Sequence, residues 1–325
     1  MLDLAIIGGG PAGISAALEA QRSGLDYVVL EKGLIANTIY QYPIGLTVFS
    51  TPDELEFEKA ALKPVNSKPT REELLSYYVR TVREGGLNFR TECNVSGVRS
   101  LNGGGFELTV GADLMQARNI IFAIGAMEHP RRLGVPGEDL PKVQHLFRET
   151  YPFVGKNVMV IGGGNSAGEA ALFLAQEGAN TTLAIFRADW ENEDPKQGCI
   201  KYWVKRPLED ELSRECLTVF FLKNVLEISG DSILLESEDG ENVRFDNDAV
   251  FVLIGSDADL SVLESLGVGF EESKYGKVPA YDENTFETEV KGIFVAGHFT
   301  KSRHIAGAIS APRSIIPIIA ARCGK

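Results

Sequence analysis

The sequence predicts an α/β protein made of two doubly wound domains, the second of which is inserted in the first. A short apolar run at residues 4–7 leads directly into a glycine-rich turn at residues 8–13, and the same arrangement recurs at residues 158–161 and 162–167. A helical pattern and a second apolar run follow each turn. Short apolar runs that alternate with helices are typical of the buried strands of parallel sheets. The repetition therefore predicts two such sheets in one chain.

The first unit contains the parts of a βαβ motif in their expected order. The turn at residues 8–13 has the G-x-G-x-x-G spacing, and apolar residues recur at helical spacing after it until Gly24. Residues 27–30 (YVVL) then form the second predicted strand, and Glu31 ends it 18 residues after Gly13 (31 − 13). This complete order predicts a Rossmann-like dinucleotide-binding unit, whereas an isolated glycine-rich turn would not.

The requirements of dinucleotide binding explain each residue of the motif. Gly8 permits the tight turn, Gly10 lets a pyrophosphate approach the backbone, and Gly13 lets the helix pack close to the strand. The N-terminus of that helix then faces the phosphates. Glu31 can accept hydrogen bonds from ribose hydroxyls, so the loop predicts a bound adenine dinucleotide.

The second unit repeats this pattern 154 residues further along the chain (162 − 8). Its loop at residues 162–167 has alanine in the third small position, and a helix over 170–176 and a strand over 182–185 follow. The position that corresponds to the ribose acid falls near Arg187, where the sequence shows no carboxylate. An arginine there can bind a 2′-phosphate, which favours NADPH over NADH without excluding NADH.

Two dinucleotide loops predict two cofactors, as in a flavin reductase that brings a hydride donor to its flavin. The alternative for the second loop is a structural relic that has lost its ligand. A single-cofactor dehydrogenase would need only one loop.

The composition restricts the function classes. The chain has 325 residues, enough for two domains, and a formal net charge of −13, which argues against binding to nucleic acid or to an anionic membrane. No signal-peptide pattern begins the sequence, and no apolar run approaches the roughly 20 residues of a membrane helix. The four cysteines form no CxxC pair, so we expect neither a metal site nor a disulfide framework. We expect a cytoplasmic protein.

Four further segments carry a resemblance to a known family. They are residues 122–125 (FAIG), 132–138 (RLGVPGE), 251–255 (FVLIG) and 292–297 (GIFVAG). With the two loops, they make the chain resemble the thioredoxin-reductase-like flavoproteins over essentially its whole length. The resemblance implies a split FAD domain at residues 1–118 and 251–325, an NAD(P)H domain at residues 119–250, and a homodimer.

The chain departs from that family at the redox centre. The position of the family's CxxC pair falls near residues 145–148 (HLFR), which contain no thiol. The chain is more similar to the bacilliredoxin (bacillithiol-disulfide) reductase subfamily, which also lacks this pair, at residues 38–43 (TIYQYP), 48–50 (VFS) and 201–203 (KYW). That subfamily has a cysteine where this chain has Ala12, and the family has an aspartate where this chain has His298.

The loops and the resemblance together predict the binding residues. The predicted FAD contacts are Gly8, Gly10, Pro11, Ala12, Gly13, Glu31, Lys32, Ile39, Tyr40, Tyr42, Phe49, Val95, Ala123, Gly125, Gly297, His298, His304 and Ile305. The predicted NADPH contacts are Gly162, Gly164, Asn165, Ser166, Ala167, Arg187 and Gly255. We assign no catalytic side chain, because the flavin itself carries the electrons.

Several of these residues have a simpler interpretation. Tyr40 and Phe49 could stack near the isoalloxazine ring or could pack a loop against the core. His298 and His304 could contact the flavin, or could belong to a solvated polar stretch. Cys199 and Cys323 are lone cysteines, which are usually small apolar residues or exposed thiols.

The predicted function is an oxidoreductase that passes electrons from NAD(P)H through FAD to a small-molecule disulfide or an electron-carrier protein. Two alternatives stay open: a ferredoxin-linked flavoprotein that does not use NADPH, and a flavin-binding redox sensor without turnover.

Overall fold

The computed structural model describes residues 1–192, 200–273 and 276–325. The chain divides into two compact units: the first comprises Met1–Glu128 and Ala258–Lys325, and the second comprises His129–Asp257. The second unit is thus inserted in the sequence of the first. Cys199 lies outside the described residues.

Over its described residues the first unit combines one large sheet, one separate two-stranded sheet and six helices. Its strands are β1 (Leu2–Ile7), β2 (Tyr27–Leu30), β3 (Phe89–Arg90), β4 (Val95–Ser100), β5 (Phe106–Val110), β6 (Asp113–Phe122), β16 (Phe270–Ser273), β17 (Gly276–Pro279) and β18 (Ile293–Val295). Its helices are α1 (Pro11–Arg22), α2 (Asn37–Tyr40), α3 (Pro52–Leu55), α4 (Arg71–Glu84), α8 (Ser261–Ser265) and α9 (Ile305–Cys323).

The sheet of the first unit has the order β3-β2-β1-β6-β5-β4, and β18 also pairs with β6. Strands β3, β2, β1, β6 and β18 are parallel, whereas β5 and β4 join as antiparallel strands. The carboxyl ends of β1, β6 and β18 therefore meet at one edge, because Ile7 pairs with Phe122, which pairs with Val295. In open parallel sheets this edge is where ligands bind.

The second unit is built in the same way. Its strands are β7 (His129–Pro130), β8 (Val143–Gln144), β9 (Asn157–Ile161), β10 (Asn180–Ile185), β11 (Leu217–Ile228), β12 (Ser232–Ser237), β13 (Asn242–Asp246), β14 (Ala249–Val252) and β15 (Ser256–Asp257). Its helices are a 3₁₀ turn (Tyr151–Phe153), α5 (Asn165–Gln176), α6 (Arg187–Glu191) and α7 (Tyr202–Ser213). The sheet order is β13-β12-β11-β10-β9-β14-β8, with β11, β10, β9, β14 and β8 parallel.

The division between the units lies later in the chain than the predicted boundaries at 118/119 and 250/251. Strand β6 continues to Phe122 in the first sheet, so its last residues belong to the first unit. Strand β14 pairs with β9, and β15 pairs with β7, so residues up to Asp257 belong to the second unit. Strand pairing, which the sequence did not reveal, sets both boundaries.

Helix α9 is the one segment of the described chain that is long and apolar enough to cross a membrane by length and composition. No continuous apolar run marks it in the sequence, because Ser310, Pro312 and Arg313 interrupt its apolar residues. In the structure α9 packs along α1, with Ile309, Ile315 and Ile319 buried, and Ser15 donates a hydrogen bond to the Ile309 carbonyl at 2.7 Å. This is the position of a core helix.

Candidate dinucleotide sites

The first glycine loop follows β1 and is closely packed on one side. A Cβ built on Gly8, whose φ is +108°, would lie 2.3 Å from the carbonyl oxygen of Ala123, and one on Gly13 would lie 1.9 Å from the carbonyl oxygen of Gly8. Only glycine fits these two positions. At Gly10, by contrast, no atom lies within 4 Å of such a Cβ. The loop therefore leaves open space at the glycine that we expect a pyrophosphate to approach.

Glu31 is fixed against this loop. Its Oε2 accepts a hydrogen bond from the Gly9 N–H at 2.6 Å, and its Oε1 accepts one from the Gly33 N–H at 2.7 Å. The side chain is buried. An ionised carboxylate has about four lone-pair sites, so Glu31 keeps acceptor capacity for ribose hydroxyls.

The predicted residues near the C-terminus come to the same edge of the sheet. A Cβ on Gly297 would lie 3.3 Å from the Cβ of Ala12, and the Ala296 N–H donates to the Phe122 carbonyl at 2.9 Å. The structure thus brings Gly8, Ala12, Ala123 and Gly297 together from three separate parts of the sequence.

His298 follows Gly297 directly and is exposed to solvent. Surrounding protein lowers its pKa to about 4, with further lowering by the charges of Arg303 and His304. At neutral pH its imidazole is therefore uncharged. His304 is the exposed N-cap of α9, and Ile305 begins that helix and packs against the core.

The aromatic segment after β2 is attached to the glycine loop, because the Ala36 N–H donates to the Gly9 carbonyl at 3.0 Å. Ile39 is buried, Tyr40 is half-buried at the end of α2, and Phe49 is exposed. Arg71, which the sequence reading missed, donates from Nη2 to the Tyr40 carbonyl at 2.6 Å.

Four other predicted FAD contacts also lie in the first unit. Lys32 forms an ion pair with Glu128, so its charge is already compensated within the first unit. Tyr42 packs against the core, Gly125 has a φ of +71°, and Val95 begins β4.

The second glycine loop repeats the geometry of the first. A Cβ on Gly162, whose φ is +148°, would lie 2.3 Å from the Leu253 carbonyl oxygen, whereas Gly164 faces open space. Ala167 is buried and Ser166 is exposed at the start of α5. Asn165 Oδ1 accepts a hydrogen bond from the Lys201 N–H at 2.8 Å.

Asp189 lies against the second loop, although the sequence indicated no acid there. The sequence shows no carboxylate at Arg187, but a Cβ built on Gly163 would lie 2.3 Å from Asp189 Oδ2. Asp189 therefore lies against the middle glycine of its loop, as Glu31 lies against Gly9. The acid was missed because it lies within the short helix α6, not at the end of β10. The sequence signal was that Asp189 is the first acidic residue after that strand.

Arg187, the predicted phosphate ligand, is engaged elsewhere. Its Nε donates to Glu238 Oε2 at 2.6 Å, and its Nη1 lies 3.4 Å from Glu191 Oε1. Its guanidinium carbon lies 4.0 Å from the centre of the Phe221 ring. Gly255 has a φ of +100°, and its carbonyl accepts from the Arg131 N–H at 3.0 Å.

Glu169 on α5 also lies near the second loop, and no feature of the sequence indicated its unusual pKa. It is half-buried, and burial raises its pKa to about 7. A carboxyl with this pKa is about half protonated at neutral pH and carries less negative charge beside a phosphate-binding loop than an ordinary glutamate.

The position of the family's CxxC pair, residues 145–148, contains residues that pack in the second unit. Phe147 is buried in the core of the second unit, and His145 Nε2 lies 3.0 Å from Glu138 Oε1. Within the described ranges Cys93, Cys216 and Cys323 are free, and burial raises the pKa of Cys323. Across the same ranges no group of three or more His, Cys, Asp or Glu side chains could hold a metal ion.

The residues present fit two dinucleotides. Each unit has a glycine that opens the loop, a helix N-terminus behind it, and a carboxylate against the middle glycine. These are the groups that a pyrophosphate and a ribose require.

Comparison with known proteins agrees with this geometry. A family model described as pyridine nucleotide-disulphide oxidoreductase matches residues 5–297. Bacilliredoxin reductase Bdr of Bacillus subtilis (strain 168) is 36% identical over 292 residues, which are 90% of this chain and 88% of the relative. The structure of bacillithiol disulfide reductase Bdr from Staphylococcus aureus matches with a TM-score of 0.91 and 32% identity, covering 99% of this chain and 98% of that one. A ferredoxin–NADP reductase of Ignicoccus hospitalis is 28% identical over 92% of this chain and 90% of its own.

These matches cover most of the chain, and two of them exceed 30% identity. The predicted resemblance and the predicted fold class are confirmed. The chain belongs to the pyridine nucleotide-disulphide oxidoreductases and is an FAD-dependent oxidoreductase with a thioredoxin-reductase-like fold.

Proposed function

We propose that the chain transfers electrons from NAD(P)H to a low-molecular-weight disulfide, with FAD in the first unit and the nicotinamide dinucleotide in the second. When bound, FAD supplies the chemistry that accepts a hydride and passes two electrons to the acceptor. The observation that carries the proposal is the matched construction of the two loops, in which Glu31 lies against Gly9 and Asp189 lies against Gly163. In this proposal NADPH is the expected donor on account of Arg187, and NADH is an alternative.

The protein's own residues would bind and orient the cofactors. Gly10 and Gly164 leave space for the two pyrophosphates, and Glu31 and Asp189 would accept hydrogen bonds from the two riboses. Neutral His298 would border the flavin without adding a charge of its own. No side chain needs to act as a general base, because hydride transfer requires none.

The acceptor would meet the flavin directly. Phe147 and His145 occupy the place of the family's dithiol and are engaged in packing and in a contact with Glu138. Ala12 likewise offers no thiol in the first loop. A small disulfide is the acceptor class that the names of the Bacillus subtilis and Staphylococcus aureus relatives support.

Steady-state oxidation of NADPH by the FAD-loaded protein tests the proposal, with bacillithiol disulfide, glutathione disulfide and cystine as acceptors. We expect turnover with at least one small disulfide, at a rate well above that with oxygen alone. Turnover only with an added ferredoxin would contradict the disulfide as acceptor and would support the electron-carrier function that the Ignicoccus hospitalis relative's name suggests.

We also expect a cytoplasmic homodimer, as the resemblance implies. Sedimentation of the FAD-loaded protein at micromolar concentration would measure its mass, and a monomer of 35.3 kDa would contradict this expectation.

A further inference from the structure

The second site combines an arginine with nearby carboxylates, and their arrangement bears on which nucleotide binds. NADPH differs from NADH only in the 2′-phosphate of the adenosine ribose. In a site of this kind the ribose lies beyond the end of the second strand, next to the glycine loop. The relevant residues are therefore those that follow β10 (Asn180–Ile185).

Arg187 lies on the side away from the glycine loop. In the sheet β10 lies between β9, which leads into the loop, and β11. The guanidinium carbon of Arg187 lies 4.0 Å from the ring centre of Phe221, a residue of β11. Its Nε donates to Glu238 at 2.6 Å, and the Glu238 N–H donates to the Phe221 carbonyl at 3.1 Å. Glu238 and Phe221 thus hold Arg187 over β11.

Asp189 lies on the opposite side, against Gly163 of the loop. The expected ribose position therefore has a carboxylate beside it, while Arg187 is paired with another carboxylate. A 2′-phosphate that binds Arg187 must compete with Glu238 for the same guanidinium.

We propose that Glu238 is a specificity-determining residue, which weakens the discrimination in favour of NADPH by holding Arg187 away from the 2′-phosphate. This inference rests on the proposed function, because it assumes that the second loop binds the nucleotide. Glu191 contributes less, because its oxygen lies 3.4 Å from Arg187 Nη1 and its side chain is more exposed.

The test compares Glu238→Gln with the unchanged protein by calorimetric binding of two probes, 2′,5′-ADP and 5′-AMP. Both partners of the ion pair are 44% exposed, so the pair is of the surface kind, and its loss should leave the fold intact. We expect 2′,5′-ADP to bind about two- to fivefold more tightly to Glu238→Gln, and 5′-AMP to bind with unchanged affinity. The gain should shrink at high salt.

Two variants serve as controls. Asp239→Asn removes the same charge from the neighbouring position of the same turn, and we expect a smaller effect on 2′,5′-ADP than with Glu238→Gln. In an Arg187→Ala background Glu238→Gln should have no effect, because the residue acts through Arg187.

An unchanged ratio of the two affinities in Glu238→Gln, or an equal gain in Asp239→Asn, would overturn the inference. Because these probes carry no hydride, the result is independent of flavin reduction. If neither probe binds at all, both the inference and the nucleotide site of the proposed function fail. If both bind with an unchanged ratio, only the inference fails.

Discussion

Arg71 donates a hydrogen bond from Nη2 to the carbonyl of Tyr40 at 2.6 Å, and its guanidinium carbon lies 5.5 Å from the centre of the Tyr40 ring. Its Nη1 donates to Glu72, which also accepts from the Gly45 N–H. This buried arginine therefore connects the start of α4 to the segment that carries the aromatic residues predicted to border the flavin.

The first prediction concerns this connection. In Arg71→Met the Tyr40 carbonyl loses its buried donor, which costs about 1–3 kcal/mol, and Tyr40 loses its position. We expect a changed shape of the flavin absorption band and altered quenching of flavin fluorescence, with FAD still bound. Arg71→Lys should be intermediate. Arg80→Met, an exposed arginine on the same helix, is the control. A flavin spectrum in Arg71→Met identical to that of the unchanged protein would show that Arg71 does not position Tyr40.

A second prediction concerns Glu31. Because hydrogen bonds to charged acceptors contribute about 1.5–3 kcal/mol, Glu31→Gln should weaken FAD binding about tenfold or more. Titration of the apoprotein with FAD, followed by flavin fluorescence, measures the dissociation constant. Glu84→Gln, at the exposed end of α4, should bind FAD normally. Equal affinities in the two variants would exclude Glu31 as a ribose ligand.

These residues also show what the sequence could and could not predict. The positions of Gly8 and Gly162 could be predicted, because a tight turn with a close backbone approach requires glycine, and the spacing marks it. Asp189 could not be predicted by analogy with Glu31, because α6 begins directly after β10 and carries the acid within its first turn. Sequence spacing alone does not show how a helix turns a side chain back to the loop.

The sequence also could not predict contacts between residues that are far apart in the chain. Glu238 is 51 residues from Arg187 in sequence, and no local pattern indicates that the two are paired. The predicted role of Arg187 therefore rested on its position after β10, whereas the structure adds the partners that compete for it. The boundaries of the two compact units depend on long-range contacts too, since they follow from the pairing of β14 with β9 and of β15 with β7.

A third prediction separates folding from binding in the second loop. Gly164→Ala adds a methyl group to open space, so the melting temperature should not change. The same methyl group would occupy the path of the pyrophosphate, so we expect the KM for NAD(P)H to rise at least about tenfold. Gly230→Ala in the same unit also faces open space and should alter neither quantity. A normal KM in Gly164→Ala would contradict nucleotide binding at this loop.

A fourth prediction concerns pH and Glu169. Its pKa is raised from 4.5 to about 7, so below pH 4.5 the carboxyl is protonated in both the folded and the unfolded chain. Between pH 4.5 and 7 the unfolded chain releases this proton while the folded chain retains it. The free energy of unfolding therefore falls as the pH rises through this range. Well above pH 7 this difference in pKa lowers the free energy of unfolding by roughly 3 kcal/mol.

Melting temperatures from pH 5 to pH 8 check this expectation. Glu169→Gln should melt like the unchanged protein at pH 5 and several degrees higher at pH 8. Glu177→Gln, at the exposed end of the same helix, should show no such trend. A difference between Glu169→Gln and the unchanged protein that does not depend on pH would mean that this carboxyl does not titrate as described.

The central claim is that the second glycine loop delivers a hydride donor to flavin held at the first. Anaerobic stopped-flow mixing of the FAD-loaded protein with NADPH, and separately with NADH, measures this step through the flavin absorption band at ~450 nm. We expect rapid bleaching by at least one nucleotide, and much slower bleaching in Gly164→Ala with its FAD still bound. Bound flavin that neither nucleotide bleaches would contradict the claim, and the second loop would then not be a working hydride-donor site.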